Sequence, residues 1–165
     1  MPDPFHLLLL TAVLSCALVA GLVFGFAVVV MPGIASLEDR GFLRAFKYMD
    51  RLIQDSEPAF MLVWVGSVVA VLATAAAAPL QLSGRPLYLL WFAAGLYMLT
   101  VQLPTARFNI PLNNELQALE LDSLSEAELA AARLRFEEPW NRWNRFRTVG
   151  SIASVSIMLV VLLAL

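Results

Sequence analysis

Residues 5–31 contain no Asp, Glu, Lys or Arg. About 20 apolar residues cross the hydrocarbon core of a bilayer, so this run predicts a membrane-spanning helix. A secretory signal reading fits poorly: no Lys or Arg precedes the run, and it is about twice the usual apolar length of such signals. Three further apolar runs, 59–80, 87–103 and 149–165, predict three more spans. The run 87–103 is the most polar of them, since it carries Tyr97 and Gln102. The expected fold is all-α: an integral membrane four-helix bundle in a single domain, with two long, partly helical links on one face.

The polar segments between the spans have patterns of their own. Residues 33–57 predict a helix N-capped by Ser36, with Asp39 as the reciprocal partner. Phe42, Phe46, Met49 and Ile53 form an apolar stripe on it, and Lys47, Asp50 and Gln54 fall on a different face. Such a helix is expected at the membrane interface or folded over the mouth of the bundle. Pro58 is placed to begin span two. In the third link Pro104 is expected to end span three, and a helix near Pro111 would carry Asn113, Leu116 and Gln117 on one side. Ser125 and Glu128 form a capping box that opens another helix, expected to run to Glu138 and to break or kink at Pro139. Ala17, Gly21 and Gly25 recur every four residues, and Gly66, Ala70, Thr74 and Ala77 make a similar stripe on span two. These small residues predict close helix contacts within the chain, with a homo-oligomer seam as the alternative.

Composition agrees with a membrane location: 60% of residues are hydrophobic and mean hydropathy is +0.76. Net charge of −2 and a pI near 5.3 provide no basic surface for nucleic acid. Arg40, Arg44, Lys47 and Arg51 lie in the first link, Arg85 alone in the second, and Arg107, Arg133, Arg135, Arg142, Arg145 and Arg147 in the third. By the positive-inside rule both termini lie outside and the long links lie in the cytoplasm, as in a bacterial plasma-membrane protein. One Cys (Cys16) and one His (His6) exclude paired-cysteine redox chemistry, bis-His haem ligation and a Cys/His zinc site within one chain. No acidic or basic residue interrupts a span, which places a coupled transporter last among the readings.

Two stretches of the third link carry candidate chemistry. One is Asn109-Ile110-Pro111-Leu112-Asn113; the other is Trp140-x-x-Trp143-Asn144-x-x-Arg147. On a helix Trp140, Trp143, Asn144 and Arg147 share a face. Trp and Arg are also ordinary interface anchors. Asn is a poor helix former and no anchor, so Asn109, Asn113 and Asn144 point to specific hydrogen bonding, either structural or to a ligand.

Together with Val30-Met31-Pro32-Gly33 and the segment from Phe46 to Gln54, these elements resemble the anthrone-oxygenase-like family of small four-span membrane proteins. The resemblance implies a four-helix bundle and, for some relatives, oxygenation of an anthrone to an anthraquinone without a cofactor. That chemistry needs a base to remove an acidic benzylic proton, donors for the developing oxyanion and a dry aromatic pocket. The implied catalytic groups are Asn113, Asn144 and Arg147, with Asn109, Trp140 and Trp143 binding a planar hydrophobic phenolic or carbonyl substrate. Asp50 and Glu137 are the candidate bases, with Glu138 beside them. A solvated pair near Arg133 and Arg142 is the competing account of the two glutamates. His6 is expected at the opposite end of the bundle. No metal or other cofactor is expected. The alternative function is a non-catalytic membrane protein that binds a lipid, a quinone or a protein partner in the same cleft.

Overall fold

The computed structural model describes residues 3–165 and contains five helices and no strand among them. Helix α1 covers Pro4–Ala35, α2 Asp39–Gln54, α3 Pro58–Leu80, α4 Gly84–Gln117 and α5 Glu126–Leu163. All but α2 are long and apolar enough to cross a membrane. Three of the N-termini are capped by acidic side chains. Asp3 accepts from Phe5 N, Glu38 from Arg40 N (2.9 Å) and Glu57 from Phe60 N (2.7 Å), where carboxylates also meet the positive end of the helix dipole. Ser36 does not cap α2 as expected; its hydroxyl donates to the Gly33 carbonyl at 2.9 Å. The Ser125–Glu128 capping box is formed and opens α5. Gly84 turns the chain between α3 and α4 at φ +59°, a conformation that suits glycine.

The prolines do not end the helices. Helix α4 continues past Pro104 and Pro111, and α1 past Pro32. In each case a π-helical turn lies just before the proline: Phe26–Val30 before Pro32, Met98–Gln102 before Pro104, and Thr105–Asn109 before Pro111. Proline lacks an N–H, and its ring collides with the carbonyl four residues back. Widening the turn by one residue moves that carbonyl away, so the helix absorbs the proline. Pro139 is carried within α5 without such a turn. There Phe136 and Trp140 are both buried, packing edge-on against Phe46 at 4.5 and 5.2 Å between ring centroids. Their packing offsets the missing ladder bond.

The core has two layers. In the membrane layer α1 packs on α3 and α5, and α4 packs on α5. Leu9, Cys16, Tyr97 and Val161 are among its buried side chains. Beyond it α2 lies across the ends of α1, α4 and α5, and buries Phe42, Leu43 and Phe46 against Leu116, Leu129, Phe136 and Trp140. Each such side chain contributes about 1.5–3 kcal/mol by burial. Polar bonds tie the layer down. Arg40 donates to the Leu124 carbonyl (3.0 Å), and Lys47 to the Leu119 carbonyl. Arg44 pairs with Asp122. Arg133 reaches the Ala35 and Leu37 carbonyls and Asp39 while its guanidinium lies 4.4 Å from the Phe42 ring centroid.

The small-residue expectation for α1 is corrected. Ala17 and Gly21 face outward, and a side chain added at Gly21 or Gly25 would touch nothing. The close approach is instead at Gly150 of α5, where a Cβ would overlap the Thr100 side chain in the second π-turn. Gly150→Ala is therefore expected to lower stability by about 1–3 kcal/mol through overpacking, seen as a lower unfolding temperature in detergent. Adding Thr100→Ala should restore part of the loss; an unchanged melt in the single variant would show that α4 and α5 do not meet there.

Candidate functional site

Asp50 lies one turn beyond Phe46 on α2, on the buried side of the helix, and is 2% exposed. The spacing of Leu43, Phe46 and Asp50 puts all three on the inner face. The apolar stripe predicts a different face for Asp50; in the structure it turns inward with Phe42, Leu43 and Phe46. Three amides converge on its carboxylate: Asn113 Nδ2 at 2.7 Å, Gln117 Nε2 at 2.9 Å and Gln54 Nε2 at 3.3 Å. A carboxylate offers about four acceptor positions, so one further donor can be taken. Gln117 also donates to the Lys47 carbonyl at 3.0 Å, which fixes the end of α4 to α2.

Helix α4 presents these amides because of its π-turns. Each inserts one extra residue and advances the helical phase by about 100°. After the turn at Thr105–Asn109, the side chains of Asn109, Asn113 and Gln117 follow one another along one face. Asn113 is the junction between helices: it donates to Asp50 and its Oδ1 accepts from Trp140 Nε1 at 2.9 Å.

Helix α5 supplies the other wall through Trp140, Asn144 and Arg147, spaced i, i+4, i+7. Arg147 is 5% exposed and is held by neutral groups: Nη1 donates to Thr105 Oγ1 at 2.9 Å and Nη2 to Asn144 Oδ1 at 2.8 Å. The Thr105 hydroxyl in turn donates a hydrogen bond to the Val101 carbonyl. Asn144 Nδ2 donates to the Val23 carbonyl of α1 at 3.0 Å, just before the first π-turn. Arg147 Cζ lies 5.7 Å from the Trp140 ring centroid.

These groups line one cavity of about 340 Å³ between the membrane layer and α2. Its polar lining includes Asp50, Asn109, Asn113, Asn144 and Arg147; its aromatic lining is Phe26, Phe46, Phe60, Trp64 and Trp140. Leu22, Met61 and Ile110 form part of the lining and are themselves exposed. The site therefore offers a carboxylate, a guanidinium and amide donors and acceptors within apolar walls. That set can exchange a proton with a ligand and stabilise negative charge on its oxygen. Among the described residues no group of three His, Cys, Asp or Glu is arranged to hold a metal.

Six of the eight sequence candidates share this cavity. Trp143 does not: it sits about 60° around the helix from Trp140, and its ring stacks on Phe108 outside the cavity, with centroids 3.7 Å apart and planes 5° apart. Glu137 is also outside. It pairs with Arg133 at 2.7 Å, and Asp50 is the carboxylate in the lining. His6 lies beside Asp3 at the opposite end of α1. Sequence reasoning missed Thr105, Gln54, Trp64 and the anchoring role of Gln117. The repeat of amides at 109, 113 and 117 was the available signal for Gln117. Nothing in the spacing marked Trp64.

Because Asn113 bridges Asp50 and Trp140, Asn113→Leu leaves both without that partner. The expected cost is about 1–3 kcal/mol per buried orphaned group, measured as a lower melting temperature together with a shift in tryptophan emission. A variant that melts and fluoresces like the parent would show that the bridge is absent.

No curated protein and no solved structure matches the chain. A family model described as anthrone oxygenase matches residues 57–157, which takes in α3, α4, most of α5 and every candidate except Asp50. The match covers more than half of the sequence, and the chain belongs to the anthrone oxygenase family.

Proposed function

We propose that this protein is a membrane-embedded oxygenase that converts a planar, hydrophobic anthrone-type ketone to the corresponding quinone without a bound metal or flavin. The observation that carries this reading is the placement of one buried carboxylate, Asp50, and one buried guanidinium, Arg147, in the lining of the same aromatic cavity. The volume of about 340 Å³ is in the range that holds a small ligand.

In this scheme Asp50 removes a benzylic proton from the methylene carbon opposite the carbonyl. The electron pair moves into the ring system, and the ketone oxygen becomes an enolate stabilised by Arg147. Dioxygen adds to the reduced carbon. The peroxide anion takes back the proton held by Asp50, and the resulting hydroperoxide loses water to give the second carbonyl, so CH2 and O2 become C=O and H2O. Phe26, Phe46 and Trp140 provide flat apolar surface for the rings. The exposed apolar residues Leu22, Met61 and Ile110 support entry of a hydrophobic substrate from the lipid. We place the α2 layer on the cytoplasmic side. Arg107, Arg142 and Arg145 are exposed at that end, even though Arg40, Arg44, Lys47 and Arg133 are engaged within the layer.

A second reading has one observation in its favour. The three amides on Asp50 are what a purely structural carboxylate would need, which suits a protein that binds a lipid or quinone without turning it over.

Purified protein in lipid nanodiscs, supplied with anthrone, separates the two. Turnover is expected as O2 uptake matched by anthraquinone formation above the uncatalysed rate. Asp50→Asn should reduce kcat by about 10²–10⁴-fold as a lost general base, and Arg147→Met by about 10²–10³-fold as a lost oxyanion donor. Full activity in Asp50→Asn would remove the carboxylate from the reaction, and ligand binding with no turnover in the parent would favour the binding reading.

A further inference from the structure

Glu137, Asn141 and Arg145 follow one another a turn apart along one face of α5. All three line a cavity of about 180 Å³ whose other wall is the end of α1, including Ala27, Met31 and Pro32. It shares no lining residue with the larger cavity beneath α2. The two opposite charges border the same space yet do not pair with each other. Arg133 takes Oε2 of Glu137 at 2.7 Å, and Oε1 has no hydrogen-bond partner among the described residues. Arg145 forms no ion pair among the described residues and uses only Nε, which is tied back to the Asn141 carbonyl at 3.4 Å. Its two terminal nitrogens remain as donors. These groups can be reached: Arg145 is exposed, Asn141 is half-buried, and the Glu137 side chain is 24% exposed.

Height along the bundle sets the class of ligand. Val28 and Val29 follow Ala27 on α1 and are exposed apolar residues, as is Phe146 beside Arg145. From Thr148 onward α5 carries no charge. The cavity therefore sits where the hydrocarbon ends and the lipid headgroups begin, a level that arginine and aromatic side chains favour. Its α1 wall is apolar and its α5 wall is charged. At about 180 Å³ it is smaller than the pockets that enclose whole small-molecule ligands, which suits a headgroup whose acyl chains stay in the bilayer. A phosphate alone would satisfy Arg145 but would face the like charge of Glu137. A headgroup that carries a phosphate and an ammonium meets both ends with charge-assisted hydrogen bonds.

We propose that the cavity between α1 and α5 is a binding site for a zwitterionic aminophospholipid of the phosphatidylethanolamine type. The terminal nitrogens of Arg145 donate to the phosphate, and the primary ammonium donates to the free oxygen of Glu137. A choline headgroup carries the same charges but has no N–H to give, so it fills the site without bonding Glu137. A glycerol headgroup keeps the phosphate and lacks the cation. The bound lipid bridges the two helices just beyond the π-turn that begins at Phe26, a residue of the larger cavity. The assignment is independent of any oxygenase activity, because the two cavities are separate.

The test is native mass spectrometry of the delipidated full chain in detergent, titrated with dioleoyl lipids that differ only in headgroup: ethanolamine, its N-methyl and N,N-dimethyl forms, choline and glycerol. Affinity should fall as N–H groups are replaced by methyl, by about 10-fold in total from ethanolamine to choline. This series needs no variant. In Glu137→Gln, checked for folding by circular dichroism and size exclusion, the ethanolamine preference should collapse towards one while choline lipid still binds. In Arg145→Gln, an exposed position, ethanolamine and choline lipids should both bind about 10-fold more weakly. Equal affinity across the methylation series would overturn the proposal, as would a preference that survives in folded Glu137→Gln or undiminished binding in Arg145→Gln. Tighter binding of the glycerol headgroup than of ethanolamine would mark a general attraction for anions and overturn it too. Soluble phosphoethanolamine should not displace the lipid at equal concentration; displacement would overturn the assignment to a lipid.

Discussion

The buried carboxylate of Asp50 is the constraint on which the outer half of the molecule depends. A carboxylate at 2% exposure is strongly unfavourable unless donors surround it. Asn113, Gln117 and Gln54 supply them, and each imposes something on the fold. Helix α4 must extend well past the membrane layer to bring Asn113 and Gln117 to that height. Helix α2 must lie across the bundle so that its inner face meets them. The aromatic packing of Phe42, Phe46, Phe136 and Trp140 then closes the space around the polar cluster. The same arrangement creates the cavity, because α2 spans the gap between helices instead of filling it.

Prolines and π-turns set the phase of the walls. An uninterrupted α-helix through residues 84–117 would rotate Asn109, Asn113 and Gln117 away from Asp50. Two widened turns before Pro104 and Pro111 correct the phase, and the turn before Pro32 lies beside the Val23 carbonyl that receives Asn144. The prolines that would ordinarily weaken these helices coincide with the features that aim the site. Gly150 belongs to the same design, since only a residue without a Cβ lets α5 pass the side chain of Thr100.

Much of this was legible in the sequence, for identifiable reasons. Four spans follow from uninterrupted apolar runs, and the Ser125–Glu128 box follows from local hydrogen-bonding chemistry. Asn109, Asn113 and Asn144 stood out because asparagine has no ordinary place in such helices. What was not legible depended on context. Pro104 reads as the end of its helix and Pro139 as a break or a kink, because sequence spacing does not reveal a π-turn or compensating aromatic packing. Trp143 and Trp140 look alike in a helical projection, yet only Trp140 points inward; Trp143 finds Phe108 instead. Glu137 and Asp50 were equal candidates until Arg133 took the first and the α4 amides took the second. The outward turn of Ala17 and Gly21 could not be known before the helices were paired.

The account stands on α2 folding over the bundle with Asp50 beneath it. The most direct measurement uses Gln54 and Asn114, exposed residues whose side chains meet at 2.9 Å across the two links. In a Cys16→Ser background, Gln54→Cys with Asn114→Cys should be joined efficiently by a short bifunctional thiol reagent in native membranes, as shown by mass spectrometry of the linked peptides. A control pair using Leu52→Cys with Asn114→Cys should not be joined, because Leu52 is 63% exposed on a different face of α2. Equal linkage of both pairs, or linkage of the control alone, would contradict the placement of α2 and with it the site.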